Sequence, residues 1–179
     1  LLHVFDPFKL RVKGDSIVLP ANLTYTISED NFIFPGKSVI HRKNALGFRG
    51  EEYTQKDRKF RILTVGGSTT ECFYLPDDKT WPALLGSKLQ EDMPKLWLNN
   101  AGLDGHSTFG HTLLVKNHIL PLDIDVIYFL VGINDFGLDQ ANFMEEGIRT
   151  DSFVTRSYKT ILKSIARRSE LFALGLNIQ

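Results

Sequence analysis

The sequence contains a single cysteine, only two tryptophans and two methionines, and no excess of either charge. Cys72 cannot form an intrachain disulfide, and no group of Cys and His residues has the spacing of a structural zinc site. A packed core must therefore hold the fold together. The 42% of hydrophobic residues in a chain of 179 is an ordinary content for that purpose.

The sequence also lacks an excess of basic residues and a long apolar run. Twenty-one Lys and Arg residues balance twenty-one Asp and Glu residues, so the chain lacks the basic excess expected of a nucleic-acid-binding protein. The longest strongly apolar run, residues 126–133, is about half as long as a membrane-spanning helix needs to be. We therefore expect no nucleic-acid partner and no membrane span in these residues.

Residues 1–58 and 59–179 differ in pattern. In the first part, short alternating runs such as Leu23-Thr24-Tyr25-Thr26-Ile27 are separated by proline and glycine, which is typical of short strands and turns. We predict a small β-rich segment over residues 1–58.

The second part alternates short apolar strands with helices. The predicted strands cover residues 61–65, 96–98 and 126–131, and the predicted helices cover residues 81–93, 109–120 and 156–176. Thr80 is a suitable cap for the helix that follows it, and Pro82 is tolerated in its first turn. This order predicts an α/β fold with a mainly parallel sheet covered on both faces.

Three turns follow the predicted strands and are rich in Gly, Asn and hydroxyl groups. They read Gly66-Gly67-Ser68-Thr69-Thr70, Asn99-Asn100-Ala101-Gly102 and Gly132-Ile133-Asn134-Asp135. Because the carboxyl ends of parallel strands share one edge of the sheet, we expect these turns to face one crevice. The first turn lacks the Gly-Lys-Ser/Thr end of a phosphate-binding loop, and Thr70 replaces the second glycine of an α/β-hydrolase elbow.

The side chains and amides of these turns are suited to acyl-transfer chemistry. The Ser68 hydroxyl is a candidate nucleophile, and N–H groups at Ser68, Gly102 and Asn134 are candidate donors to an oxyanion. Each residue also has a structural interpretation. Gly102 would then only allow an unusual φ, and Asn134 and Asp135 would only bond within their own turn.

These three turns resemble the conserved blocks of the SGNH (GDSL-type) hydrolase family of esterases and lipases. The matching stretches are residues 62–70, 100–102 and 132–135, although Gly67 stands where the family has an acidic residue. The resemblance implies a three-layer, flavodoxin-like α/β/α core with Ser68 as nucleophile and Ser68, Gly102 and Asn134 as oxyanion donors. It implies no metal and no organic cofactor.

Residues 44–50 and the stretch from Glu71 to Pro82 look like a bacterial branch of that family with a β-rich lead. This similarity implies a small-molecule or carbohydrate ester as substrate, with O-acetylated carbohydrate as the favoured class. The compartment stays open between the bacterial envelope, or another extracytoplasmic space, and the cytoplasm.

One element of the family pattern is missing. The family's catalytic His lies in an Asp-x-x-His block near the carboxyl end, and no Asp of this chain has His three residues later. We therefore expect the amino-terminal part of a hydrolase domain, inactive by itself, whose sheet edge packs against a further carboxyl-terminal portion or a second copy of the chain. His106 comes nearest the crevice among the histidines, although the family's base approaches from a different loop.

The remaining pocket candidates are Gly67, Glu71 and Asp135, together with His106. Glu71 could contact a polar substrate or form a salt bridge beside the turn. Cys72 has no cationic neighbour in sequence, so we expect a protonated thiol and a packing role.

Two other functions compete with the ester hydrolase. A non-catalytic module could keep the same crevice to bind a glycan or acyl ligand, and the missing His favours it. A nucleotide-binding flavodoxin-like domain would need a phosphate loop that Gly66-Gly67-Ser68-Thr69-Thr70 resembles only loosely.

Overall fold

The computed structural model describes residues 12–13, 16–28, 36–56 and 60–136, together with Ile165 and Ser169. Of the amphipathic helix predicted over residues 156–176, only Ile165 and Ser169 are among the described residues. The structural statements below refer to this part of the chain.

A three-stranded parallel sheet forms the centre of the described fold. Its strands are β5 (Phe60–Gly66), β6 (Leu96–Asn100) and β7 (Val126–Leu130), in the order β6-β5-β7. Leu63 of β5 lies opposite Asn99 on one side and Ile127 on the other. With the first strand between the second and the third, this is the order of flavodoxin-like folds, and the α/β prediction is confirmed.

Helices connect these strands. They are α1 (Ser68–Glu71), α2 (Trp81–Gln90) and α3 (Thr108–Leu114), and α3 continues as a π-helical turn over Val115–Ile119. Short 3-10 turns cover Asp77–Lys79 and Ile133–Asp135. The predicted cap is confirmed, because the Thr80 hydroxyl accepts a hydrogen bond from the Ala83 N–H at 3.3 Å.

Both faces of the sheet are covered at β5 and β6. On one face, α2 packs closely on β6, since a Cβ atom at Gly86 would lie 3.4 Å from Leu98 Cβ. The other face carries the main hydrophobic core. Its fully buried members come from the sheet, the turns after it, α3 with its π-helical turn and the lead: Ile17, Phe48, Leu63, Val65, Trp97, Ala101, Leu103, Leu114 and Ile119.

Two antiparallel strand pairs are described in the β-rich segment predicted over residues 1–58, which is called the lead. β1 (Val12–Lys13) pairs with β2 (Ser16–Ile17), and β3 (Thr24–Ile27) pairs with β4 (Val39–Arg42). The predicted alternation in β3 is confirmed, because its threonines are exposed and its two apolar residues are half-buried.

The lead is attached to the sheet and to the helix layer. The backbones of Arg49 and Asn100 exchange two hydrogen bonds of 2.8 and 2.9 Å, which add a bridge beside β6. At the other end, His118 Nε2 lies 2.9 Å from the Ile17 carbonyl oxygen. The division at residue 58 stays a prediction, since residues 57–59 lie outside the described residues, while Ile17 and Phe48 share the core of the sheet.

β7 forms one edge of the described sheet and is exposed. Its residues Val126, Tyr128, Phe129 and Leu130 are 41–52% exposed, and Val131 beyond it is 42% exposed. A strand edge with apolar side chains accessible on both faces favours association with further polypeptide. Among the helices in the described ranges, none has the length and apolar character needed to cross a membrane.

Candidate active site

The first turn leads directly from the central strand into a short helix. β5 ends at Gly66, Gly67 precedes α1, and Ser68 is the first residue of α1 and is exposed. A side chain at Gly67 would displace the Asn134 amide, because a Cβ atom there would lie 2.6 Å from Asn134 Nδ2. The backbone immediately before Ser68 therefore lies against the Asn134 amide.

The third turn approaches the first through this amide. Asn134 lies in the 3-10 turn after β7 and is half-buried, and its Nδ2 donates a 2.8 Å hydrogen bond to the His106 carbonyl. The same carbonyl oxygen is 3.7 Å from the Cβ position of Gly67. The ends of β5 and β7 and the loop after β6 thus meet at one place, with Ser68 next to it.

Gly102 is close to this place, but its N–H group is already engaged. The Gly102 N–H donates a 2.8 Å hydrogen bond to Asn100 Oδ1. A Cβ atom at Gly102 would overlap the backbone of α1, meeting the Glu71 nitrogen and lying 2.6 Å from the Thr70 carbonyl carbon. The absence of a side chain is needed here for close packing of the loop on α1.

A second glycine, Gly105, lies in the same loop. Leu103–His106 forms a turn closed by a 3.3 Å hydrogen bond from the His106 N–H to the Leu103 carbonyl, and Gly105 in it has a φ of +74°. Within the described part of the chain, the Gly105 N–H has no acceptor. Gly105 was not among the oxyanion donors predicted from the sequence, although the dipeptide Asp104-Gly105 is itself typical of a turn.

Asp135 binds the helix after the second turn. Its carboxylate accepts hydrogen bonds from the Thr108 N–H at 3.0 and 3.1 Å and from the Thr108 hydroxyl at 2.7 Å. It thereby satisfies a free N–H group at the start of α3, beside the cap supplied by Ser107. This contact joins the third turn to α3, whereas the sequence suggested a bond of the Asp135 side chain within its own turn; contact of Asp135 with substrate stays a prediction.

Glu71 is buried at the end of α1, with its side chain 8% exposed. Its carboxylate lies 2.9 Å from the Lys43 ammonium and accepts a 2.7 Å hydrogen bond from the Asp104 N–H. Of the two roles considered for this residue, the salt bridge is the one seen.

His41 lies beside this ion pair and is fully buried. Its Nε2 is 3.9 Å from the Glu71 carboxylate, and its Nδ1 is 3.2 Å from the Phe73 carbonyl oxygen. Burial lowers the pKa of His41 to about 4, with further lowering by the positive charges of Arg49 and Lys43. His41 is therefore neutral at pH 7, and since a carbonyl only accepts, the proton is on Nδ1.

Two other buried histidines lie near the second turn. His106 and His111 are each 3% exposed, and their ring centroids are 6.1 Å apart. Burial lowers the pKa of His111, against the opposing effects of the Gly66 carbonyl and the Asp135 carboxylate. None of the histidines within residues 36–56 and 60–136 is solvent-exposed at this crevice.

Cys72 follows α1 and is half-buried with a φ of +52°. Burial raises the pKa of its thiol, so it is protonated at neutral pH, as expected from the sequence. Its Sγ lies 3.2 Å from the Thr69 carbonyl oxygen. Residues in the described ranges form no group of three or more His, Cys, Asp or Glu side chains able to hold a metal ion.

Comparison with known proteins gives limited similarity. No family model and no curated protein matches this sequence. Among solved structures, the chain is similar to one described as the crystal structure of TesA, with a TM-score of 0.39 and 19% identity. The match covers 62% of this chain and 55% of the TesA chain, so this chain corresponds to about half of that protein's length.

Proposed function

We propose that this chain carries the nucleophile and oxyanion site of a serine ester hydrolase of the SGNH type. The observation that supports the proposal best is the position of Asn134 Nδ2, which lies 2.6 Å from where a Cβ atom of Gly67 would be, immediately before the exposed Ser68. A hydroxyl nucleophile and a side-chain amide donor thus occur together at the carboxyl ends of two neighbouring parallel strands, where sites in such sheets form.

In the proposed reaction, the Ser68 oxygen attacks the ester carbonyl carbon and its proton passes to a base. The negative charge on the carbonyl oxygen is stabilised by the Ser68 N–H and the Asn134 amide. When the intermediate collapses, the bond from the carbonyl carbon to the alkoxy oxygen breaks, the base returns its proton to the departing alcohol, and the acyl group stays on Ser68. Water then attacks this acyl group, releasing the carboxylic acid and restoring the Ser68 hydroxyl. The favoured substrate is the acetyl ester of a carbohydrate, and other acyl esters are the alternative.

The backbone donor from the second turn needs a free N–H group. Gly102 was the expected donor, but its N–H is bonded to Asn100, whereas the Gly105 N–H has no acceptor within the described residues. We therefore assign this role to Gly105 in the proposal and assign Gly102 the close packing of the loop on α1.

The proposal is tested by covalent labelling of the serine. A fluorophosphonate transfers its phosphonyl group to a serine oxygen with loss of fluoride. Because no paired base occurs among the described residues, we expect the reaction to be slow, so the increase in intact mass is followed over time. We expect a single label that is absent in Ser68→Ala, reduced in Asn134→Ala and unchanged in Ser87→Ala, which alters an exposed serine of α2. Absence of labelling at Ser68, or labelling equal in Asn134→Ala, would contradict the proposed site.

Turnover provides a second test. Without a paired base, we expect almost no hydrolysis of aryl acetates by this chain. Rapid hydrolysis that is abolished by both Ser68→Ala and His106→Ala would instead identify His106 as the base.

The alternative function is a non-catalytic module that binds a glycan or acyl ligand in the same crevice. The burial of His106 and His111 to 3% exposure favours it, because a base must reach the hydroxyl from which it takes the proton. Ligand binding that persists in Ser68→Ala, together with no labelling of the wild-type chain, would support this alternative.

A further inference from the structure

A buried ion pair connects three separate parts of the chain below the candidate site. Lys43 follows β4 of the lead, Glu71 ends α1, and residues 102–104 form the loop after β6. The Lys43 side chain is 0% exposed and that of Glu71 is 8% exposed. No sequence pattern indicated this pair, because its members are separated by 28 residues.

Both members of the pair also bind the loop. Lys43 Nζ donates to the Gly102 carbonyl at 3.3 Å while lying 2.9 Å from Glu71 Oε1. Glu71 Oε2 accepts the Asp104 N–H at 2.7 Å. The loop is therefore held on α1 at two points, one on either side of Leu103.

Stability alone does not account for charges at this position. Moving an ammonium and a carboxylate out of water is costly, and a buried pair of this kind is often no more stable than apolar residues of the same volume. The pair instead fixes the position of the loop, since its three contacts hold the loop in one place relative to α1. α1 begins at Ser68, and the loop continues into Gly105 and the His106 carbonyl that binds Asn134.

We infer that Lys43 and Glu71 are positioning residues that hold the 102–106 loop on the Ser68 helix and so set the distance between the serine and its oxyanion donors. The inference rests on the proposed function for its chemical consequence. Its structural part, the anchoring of the loop, is measurable separately. By this inference the lead contributes a residue to the site and is more than a neighbouring segment.

The test combines amide hydrogen exchange with the labelling of Ser68. Glu71→Ala removes both the ion pair and the acceptor for the Asp104 N–H, whereas Glu71→Gln keeps an acceptor oxygen and loses only the charge. Lys43→Met removes the other member. The control is Lys88→Met, because Lys88 forms a 2.6 Å ion pair with Glu91 on the exposed surface of α2.

We expect exchange at the Asp104 amide to become at least about tenfold faster in Glu71→Ala, since that is the effect of losing a hydrogen bond to a charged group. Glu71→Gln should lie between Glu71→Ala and wild type. Labelling of Ser68 should slow by roughly 10- to 100-fold in Glu71→Ala and Lys43→Met, as is common when reacting groups are misplaced by about 1 Å. Lys88→Met should change neither quantity.

The two proposals fail in different ways. If wild-type Ser68 is not labelled, the hydrolase proposal fails, and the exchange of the loop alone then decides whether the pair anchors it. Loop exchange that stays at the wild-type rate in Glu71→Ala and Lys43→Met would overturn the inference. Exchange that rises equally throughout the chain would overturn it as well, because the pair would then only support the fold.

Discussion

Replacement of Gly102 by alanine tests the close packing of the loop on α1. The added Cβ atom would overlap the Glu71 nitrogen and would lie 2.6 Å from the Thr70 carbonyl carbon and 2.8 Å from Glu71 Cα. All three are backbone atoms of α1, so no side chain can rotate to make room. Gly102 itself is fully buried, which leaves no route toward solvent for the methyl group.

The expected cost is in the upper part of the range for overpacking, about 2–3 kcal/mol of the free energy of unfolding. Each kcal/mol lowers the melting temperature of a domain of this size by about 2–4 °C, so Gly102→Ala should lower it by about 4–12 °C. The change is measured by thermal unfolding followed by circular dichroism, with urea unfolding as an independent estimate of the free energy.

Gly86→Ala is the matched control. It adds the same methyl group inside α2, where the nearest atom would be Leu98 Cβ at 3.4 Å, and alanine is favoured over glycine by up to about 1 kcal/mol in a helix interior. Its melting temperature should equal or exceed that of the wild type. A melting temperature of Gly102→Ala equal to that of the wild type, or no lower than that of Gly86→Ala, would contradict the close packing of Gly102 on α1.

Three further predictions concern stability and association. The pKa of His41 is 6.5 in the unfolded chain and about 4 in the folded protein, so the unfolded chain binds more protons between these pH values. The free energy of unfolding, measured with urea, should therefore fall by roughly 2 kcal/mol from pH 7 to pH 5. The fall should be smaller in His41→Gln. Arg49→Met should destabilise by about 3–5 kcal/mol, since the buried guanidinium donates to the carbonyls of Glu71, Cys72 and Leu75 and to Asp77. Arg42→Met, which alters an exposed partner of Asp77, should cost less than about 1 kcal/mol, and equal losses in the two variants would contradict the reasoning. Phe129→Lys on the exposed edge strand should reduce the self-association that is measured by sedimentation velocity. Leu84→Lys, at an exposed position of α2, should leave it unchanged. A wild-type chain that stays monomeric at high concentration would refute the expectation.

The strands and helices were predictable because their pattern is local. β5, β6 and β7 are short apolar runs, and the start of α2 is marked by Thr80 and Pro82. The meeting of the Ser68 and Asn134 turns follows from the parallel sheet, because turns at the same ends of neighbouring strands must lie together. Whether these residues act as nucleophile and donor stays a prediction.

The roles of the charged residues were not predictable in the same way. Three charged residues are buried and bind groups that are 22 to 59 residues away in the sequence: Lys43, Arg49 and Glu71. From residue type alone, charged side chains are expected on the surface. The choice between Gly102 and Gly105 as donor depends on the rotamer of Asn100, whose Oδ1 binds the Gly102 N–H. Such a hydrogen bond is decided by packing around the side chain and leaves no pattern in the sequence.

The contact between Ile17 and His118 has a consequence for the order of events during synthesis. The two residues are separated by 101 positions, and Ile17 also belongs to the core that Leu114 and Ile119 complete. At the usual rate of about 5–20 residues per second, a ribosome needs roughly 5–20 s to make the intervening chain. The lead is therefore synthesised before the surface on which it packs, and Ile17 can reach these contacts only after the chain as far as Ile119 has been made.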